Sequence, residues 1–436
     1  MELTAILCGL TGLGVFLSVL LKPEFTIGKL RFGTYWVISL AGALLLVPLC
    51  GIPLSYIGRE LTADSSVNPI KILLLFFSMT FLSVYLDEVG FFRYLASAAL
   101  RRAGGSQTAL FLVLYLTVAV LTVFTSNDIV ILTFTPFICF FARRAKIDPL
   151  PYLIAEFVAA NTWSLLFVIG NPTNIYLATA AGIGFVPYLA VMALPTCMAG
   201  VTSLGVLWLL FRRKLREPMQ GGETDAERIA DPHELELGVF HLAGATLLLA
   251  LSSYLHLEMV WAALGFALSL AALTALLFLH RHARPTVLLS AVKRLPFELI
   301  PFVLSMFVLV LGMNYSGLTE RLAAVLVTDR PILSIGVSSF FAANLINNIP
   351  MSVLFSSVLE TVTDPEVYRQ GVFAAVVGSN IGAYLTPVGA LAGIMWSSIL
   401  RRFGVRFSFR RFLLYGAAVA IPTLLAALAG LWIVLA

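Results

Sequence analysis

The stretch FTSNDIVILTFTP, Phe124 to Pro136, sets Ser126, Asn127 and Asp128 side by side within the interval from Arg102 to Arg143, which holds no other charged residue. An aspartate near the centre of a bilayer costs about 2.5–3.5 kcal/mol on insertion scales, so an intramembrane carboxylate is by default a functional-site candidate. How the chain accommodates this triplet decides the fold.

The surroundings are those of a membrane protein. Of 436 residues, 60% are hydrophobic and 12% charged, and the mean hydropathy is +0.96. Soluble domains are about half apolar and a quarter charged. The apolar runs are long enough for helices of about 20 residues, and none alternates as a barrel strand does. The expected class is therefore an all-α polytopic membrane protein. Leu3 to Leu21 has neither a basic region before it nor a small-residue cleavage site after it, and reads as a retained helix. Cys8, Cys50, Cys139 and Cys197 lie singly in apolar surroundings, as packing thiols rather than metal ligands. No GxxxxGK[ST] occurs, so the chain carries no P-loop for nucleotide hydrolysis.

Of the 28 Lys and Arg, 23 fall into six clusters, which begin at Lys22, Arg93, Arg143, Arg212, Arg281 and Arg401. Placing all six in the cytoplasm satisfies the positive-inside bias. The interval from Arg102 to Arg143 must then begin and end on the same side. Two full crossings fit, and so does a hairpin that turns at mid-depth; length alone does not choose. Non-helical backbone at that depth is tolerated only where protein or a water-filled cavity covers it, so a re-entrant hairpin would make its tip a site.

The second half repeats the first. YLDEVGFFRYLASAAL (Tyr85 to Leu100) matches GMNYSGLTERLAAVL (Gly312 to Leu326), aligning Gly90 with Gly317. Further along, Asn127 aligns with Asn347, Asn161 with Asn380, and Gly170 with Gly389. The charge map sends the span before Asp87 inward and its mate before Met313 outward, which makes the repeats inverted, an arrangement characteristic of secondary transporters. The expected division is residues 1–211 (repeat core about 70–190), a polar cytoplasmic linker at 212–236 containing Gly221 and Gly222, and residues 237–436 (repeat core about 297–400).

Four interruptions fall in apolar runs: Ser126-Asn127-Asp128; GNPTN, Gly170 to Asn174; NLINNIP, Asn344 to Pro350; and GSNIGAYLTPVG, Gly378 to Gly389. Pro and Gly break a helix and free backbone groups that must find partners inside hydrocarbon. Freed carbonyls with Asn, Ser and Thr oxygens suit a hard cation, while half-helix N-termini attract anions. For any single Asn the plain alternative is helix-to-helix hydrogen bonding, worth about 1 kcal/mol. The expected substrate or ion contacts are Ser126, Asn127, Asp128, Gly170, Asn171, Thr173, Asn174, Asn347, Asn348, Ser379, Asn380 and Thr386; Asp128 is expected to exchange the coupling proton or balance a cation, the plain alternative being a carboxylate at a solvated hairpin end that accepts amide bonds. The repeat mate of Asp128 is the neutral Asn348. Asp87 and Glu88, at the inner end of their helix near Arg93, read as an interfacial salt bridge or, equally, as a gate. Asp148 and Glu156, in the first turns after the basic RRAK cluster, read either as acids favoured by a helix N-terminus or as ion ligands, and Trp163 and Trp396 as packing or interface anchors.

These residues resemble the ion transporter superfamily, and within it the arsenite/antimonite efflux permeases of the ArsB type and the sodium/proton antiporters of the NhaD type. The resemblance runs from about Thr34 to Ala436 and is carried by LDEVGFF, SNDIVILTFTP, GLTERL, INNIP and GSNIGAYLTPVGALAGIMW. It implies about ten full spans, two re-entrant helical hairpins with tips at Ser126 to Asp128 and Asn347 to Ile349, and two unwound helices at Gly170 to Asn174 and Gly382 to Gly389. GNPTNI is closer to the loop of the antiporter and dicarboxylate-carrier branches, which leaves the solute open. The expected activity is non-enzymatic: proton-coupled efflux of arsenite, antimonite or a similar small inorganic oxyacid across the cell inner membrane. The alternatives are Na+/H+ antiport and sodium-coupled carboxylate or inorganic anion transport. Expected partners are the solute, H+ or Na+ as coupling ion, membrane lipid and a soluble ATPase subunit, with no nucleic acid, in a monomer or homodimer.

Overall fold

The computed structural model describes residues 1–22, 24–27, 30–63, 68–102, 105–219, 229, 231–252, 254–405 and 407–435. Gly221, Gly222 and Arg228 of the linker, and Lys29 and Arg406 of the basic clusters, lie outside the described residues. The order of helices is α1 (Glu2–Leu21), α2 (Thr34–Leu49), α3 (Leu54–Thr62), α4 (Pro69–Val89), α5 (Phe91–Arg102), α6 (Gln107–Phe124), α7 (Asn127–Ala145), α8 (Leu150–Trp163), α9 (Pro172–Ala180), α10 (Phe185–Phe211), α11 (Pro232–Leu251), α12 (Met259–His280), α13 (Thr286–Lys293), α14 (Leu299–Tyr315), α15 (Leu318–Leu326), α16 (Pro331–Ile346), α17 (Asn348–Glu360), α18 (Pro365–Gly382), α19 (Leu391–Arg402) and α20 (Phe409–Leu435). Among the described residues, seven helices are long and apolar enough to cross a membrane. An eighth such span forms if α14 and α15, bent by 87° at their junction, are counted as one. Short apolar helices and the two interrupted pairs, α8 with α9 and α18 with α19, make up the rest of the bundle.

One feature departs from the all-helical expectation. β1 (Glu24–Ile27) and β2 (Leu30–Gly33) pair antiparallel between α1 and α2, Phe25 opposite Phe32 with ring centroids 5.7 Å apart. The segment is too short for a helix of several turns, and its β-branched and aromatic residues favour a ribbon.

The helix ends follow local chemistry. Asn68, Asp231 and Asp364 cap α4, α11 and α18, each followed by a proline whose fixed φ suits the first turn. The Asp231 carboxylate also pairs with Arg281 at the end of α12, which holds it below the usual carboxylate range. The stability this pair contributes is present at neutral pH and is lost as pH falls through the depressed pKa; being partly solvated, it is worth under about 1 kcal/mol.

The element order from α4 to α10 recurs from α14 to α20. Each series opens with a long helix, a turn and a short helix. The turn residues are Gly90 (φ 92°) and Gly317 (φ 72°), in the left-handed region that other residues enter at a cost. The packing is reciprocal as well. α7 lies against α19, and α17 against α9, so the second arm of each hairpin rests on the helix that follows the break in the other series. α8 and the second half of α18 are buried on every side and form the centre. α1, α11 and α12 are peripheral, with Leu10, Leu247, Leu268 and Leu276 turned outward, as lipid-facing helices allow.

Candidate functional site

At the first tip the chain leaves α6 at Thr125 and restarts α7 with Ser126 as its cap. The Asp128 N–H donates to Asn127 Oδ1 at 2.9 Å and to Ser126 Oγ at 3.4 Å. Asn127 is buried, and its Nδ2 donates to Asn161 Oδ1 on α8 at 2.9 Å.

Past Trp163, α8 dissolves into a turn that ends in the 3-10 segment Val168–Gly170, and α9 begins after the cap Asn171. Three carbonyls freed by this break are answered by side chains. Asn174 Nδ2 donates to Ser164 O at 2.7 Å and to Phe167 O at 3.3 Å, and the Tyr188 hydroxyl donates to Leu165 O at 3.0 Å. Gly170 approaches so closely that a Cβ there would lie 2.3 Å from Ser164 O.

The second break is held in the same way. Asn344 Nδ2 donates to Gly382 O at 3.0 Å while its Oδ1 accepts the Thr386 hydroxyl at 2.7 Å. Asn347 Nδ2 donates to Val388 O at 2.9 Å, and the Asn348 N–H to Gly389 O at 3.1 Å. Asn347, the cap of α17, has φ 74° and ψ 153°, a region close to glycine-only. A residue held there costs about 1–3 kcal/mol and persists only where its surroundings over-determine it.

Asn380 ties the two breaks together. Its Oδ1 accepts from Ser164 Oγ and from Asn171 Nδ2, each at 2.9 Å. Its Nδ2 donates to Asn174 Oδ1 at 2.6 Å and to Val376 O at 2.9 Å. Two donors and two acceptor sites are all that an amide offers, so Asn380 is saturated. Beside it Ser379 Oγ donates to Thr173 Oγ1 at 2.9 Å.

The twelve residues expected from sequence therefore fall into two kinds. Most are organisers, committed to one another and to freed carbonyls. Two hold free capacity: Asn348 Oδ1 is buried without a partner, and the half-buried Asp128 carboxylate makes no side-chain hydrogen bond or ion pair among the described residues. A third free group, the buried Thr80 Oγ1 on α4, has no partner either. Thr80, Ser83, Thr125 and Ser126 line a cavity of about 10 Å3 at the first tip, closed by Ile169 and Ile175 of the break. That is about the space one water needs.

Sequence reading did not single out Asn161, Ser164, Asn344 or Thr80 as site residues. Asn161 carried a signal, since it aligns with Asn380 and makes the same bond, Nδ2 to the carbonyl four residues back, at 2.8 Å. Asn344 lay in a motif already marked as an interruption. Ser164 and Thr80 sit in ordinary apolar contexts and carried none. Two further readings are corrected. Asp87 and Glu88 pair with Arg294, not Arg93, the Asp87 Oδ2 lying 2.7 Å from the guanidinium. Glu156 is not at a helix start: it lies past the first turn of α8, fully buried between α7 and α19. Among the described residues no three His, Cys, Asp or Glu side chains gather as a metal site.

A family model described as a citrate transporter (CitMHS) matches residues 31–372. The chain belongs to the CitMHS family. Among relatives of this CitMHS permease, the arsenical pump membrane protein of Escherichia coli strain K12 is 29% identical over 371 residues, spanning 82% of this chain and 84% of its own. A 46 kDa membrane protein of Mycobacterium leprae is 25% identical over 381 residues, 83% and 85% of the two chains. In fold the permease is similar to the YdaH transporter of Alcanivorax borkumensis, with a TM-score of 0.55 at 14% identity across 99% of this chain and 98% of that one. It is a helical membrane transporter and not an enzyme.

Proposed function

We propose that this permease is a proton-coupled exporter of trivalent arsenic or antimony, carried as the small uncharged oxyacid. The supporting observation is the free chemistry at the two tips: one carboxylate, Asp128, and one unpartnered buried carbonyl oxygen, Asn348 Oδ1. An acceptor and an anion call for hydroxyl donors. A triol such as arsenous acid brings three, whereas a tricarboxylate would set acceptors against acceptors and charge against charge. The arsenical pump relatives point the same way. In this reading Ser126, Asn127, Asn171, Asn174, Asn347 and Asn380 shape the pocket, the two hairpins are re-entrant, and the two halves have opposite membrane polarity. Reciprocal packing of the halves supports that arrangement. The basic clusters face the cytoplasm, with the protein in the cell inner membrane.

Two other readings each have an observation behind them. The same unpartnered oxygens would hold sodium in a Na+/H+ antiporter. The family description, together with the GNPTN break, favours a sodium-coupled carboxylate importer. Inverted membrane vesicles given arsenite, sodium or citrate side by side separate the three. The expected result is arsenite accumulation driven by a pH gradient, with neither sodium-dependent citrate uptake nor sodium flux in the absence of oxyacid. Sodium-driven citrate uptake, or sodium flux without oxyacid, would overturn the export reading.

The cysteines bear on the form of the solute. Cys8 and Cys50 lie at the periphery, Cys139 is buried in α7, and Cys197 is exposed on α10. None touches either tip among the hydrogen bonds described. Trivalent arsenic prefers thiols; Cys8 and Cys50 neighbour each other, but among the described residues no three His, Cys, Asp or Glu side chains gather to chelate it. A cysteine-free variant is expected to export arsenite within about twofold of wild type; loss of export in a well-folded cysteine-free protein would show that a thiolate carries the solute.

A further inference from the structure

Glu156 is a fully buried carboxyl that the transport reading does not use. It lies five residues before Asn161 on α8, about 7.5 Å along the helix. Its Oε1 accepts the Thr135 hydroxyl of α7 at 2.8 Å, and its Oε2 faces the Trp396 indole N–H of α19 at 3.4 Å. No Lys, Arg or His among the described residues pairs with it. At the spacing that aligns Asn161 with Asn380, its counterpart is Ala375, so the carboxyl belongs to one half alone, as Asp128 does.

Its surroundings give it an outlet. The Trp396 ring sits against Phe157 at 5.0 Å, and edge-on to Phe407 and Phe412 at 5.5 and 5.6 Å. On one side this indole covers Glu156. It also lines a cleft of about 630 Å3 together with Ser397, Arg401, Phe407 and Ser408, at the end of the bundle that carries the exposed Arg401 and Arg402. One side chain thus separates a buried carboxyl from a cleft at the basic face. Along α7, Thr135 lies seven residues after Asp128, about 10 Å on. The carboxyl bridges α7, α8 and α19, which are the second hairpin arm, the helix before the first break and the helix after the second.

We infer that Glu156 is a second proton-carrying residue, a station between the tip carboxylate Asp128 and the cleft behind Trp396. This rests on the proton-coupled reading above and names the exit that reading lacks. As an acid, Glu156 is neutral. When the indole turns aside to admit water, the proton passes to that water as hydronium and the Thr135 O–H holds the carboxylate that remains; the indole N–H then returns to the carboxylate, and a proton relayed by water from Asp128 restores the acid. Few other charges face it. Cys139 of α7 lies nearby, with Arg143 a turn further along; α19 and α20 present Trp396 and Phe412; α6 and α10 contain no charged residue, and the charges of α18 stay near its start at Glu366 and Arg369.

The test uses the purified full-length protein in liposomes that hold a pH-sensitive dye, with arsenite as the probe and thermal unfolding as the check on folding. Glu156→Gln is expected to fold, to lose at least tenfold of gradient-driven arsenite flux and to flatten its pH profile. Glu156→Asp is expected to restore flux with a displaced profile, and Trp396→Phe, which keeps the ring but deletes the N–H, to shift the midpoint. A wild-type pH profile in a folded Glu156→Gln protein would overturn the inference. Should that variant fail to fold, unchanged profiles in both Trp396→Phe and Thr135→Val would overturn it equally. Coupled flux lost in Asp128→Asn but intact in Glu156→Gln sinks this inference and spares the export reading; wild-type protein that moves no protons with arsenite sinks both.

Discussion

Replacement of Asp128 by Asn is expected to leave the protein folded and to cut pH-gradient-driven arsenite flux at least tenfold, with the remaining flux independent of pH. The fold is expected to survive because the side chain contributes no hydrogen bond or ion pair among the described residues, and because Asn keeps its size. The first-turn contacts at this position use the backbone N–H, which the substitution retains. In the proposed re-entrant arrangement, removing this charge is neutral to stabilising, since insertion scales assign about 2.5–3.5 kcal/mol against an aspartate near the bilayer centre. In the proposed coupling, what disappears is the group that would alternate between carboxylate and acid. The measurement is arsenite flux in proteoliposomes across a range of external pH, beside a melting curve in detergent. An unaltered pH dependence removes Asp128 from the coupling mechanism.

The opposite profile is expected of Asn380→Ala, where transport and stability fall together. The substitution leaves Asn171 Nδ2 and Asn174 Oδ1 without a hydrogen-bond partner among the described residues, and takes one bond each from Ser164 Oγ, which keeps Asn161 O, and from Val376 O, in a region without exposure. Each bond is worth about 0.6 kcal/mol in membrane bundles, and a buried polar group left unpaired costs about 1–3 kcal/mol, so the loss of stability is expected to be about 2–4 kcal/mol. Flux is expected to fall more than tenfold, because this amide joins the helix before the second break to both sides of the first. Ser379→Ala, one position away, breaks a single bond to Thr173 and is expected to cost about 1 kcal/mol or less. Equal melting behaviour for the two variants would contradict the assignment of Asn380 as the organiser of the junction.

The two variants separate what composition and spacing reveal from what they hide. Both residues stand in interruptions of apolar runs, and from the sequence both looked like ligands. In the folded chain one is saturated and the other free. The difference is one of partners: Ser164, Asn171 and Asn174 lie more than two hundred residues from Asn380 along the chain. No local pattern encodes such a meeting. The same holds for Arg294, which takes Asp87 and Glu88 from the nearer Arg93.

The residues alone determined a helical membrane bundle broken at four marked places, with an order of elements that recurs. Those features follow from local necessity: apolar length sets the helices, left-handed turns call for glycine, and Pro, Gly and Asn inside an apolar run expose backbone groups that water cannot reach. Tertiary structure alone decided which amide answers which carbonyl, that Asp128 and Asn348 are left with unused capacity, and that Glu156 is enclosed behind Trp396. The physical reason is that burial and hydrogen-bond saturation belong to the packed arrangement of distant helices, whereas turns, caps and breaks belong to a few consecutive residues.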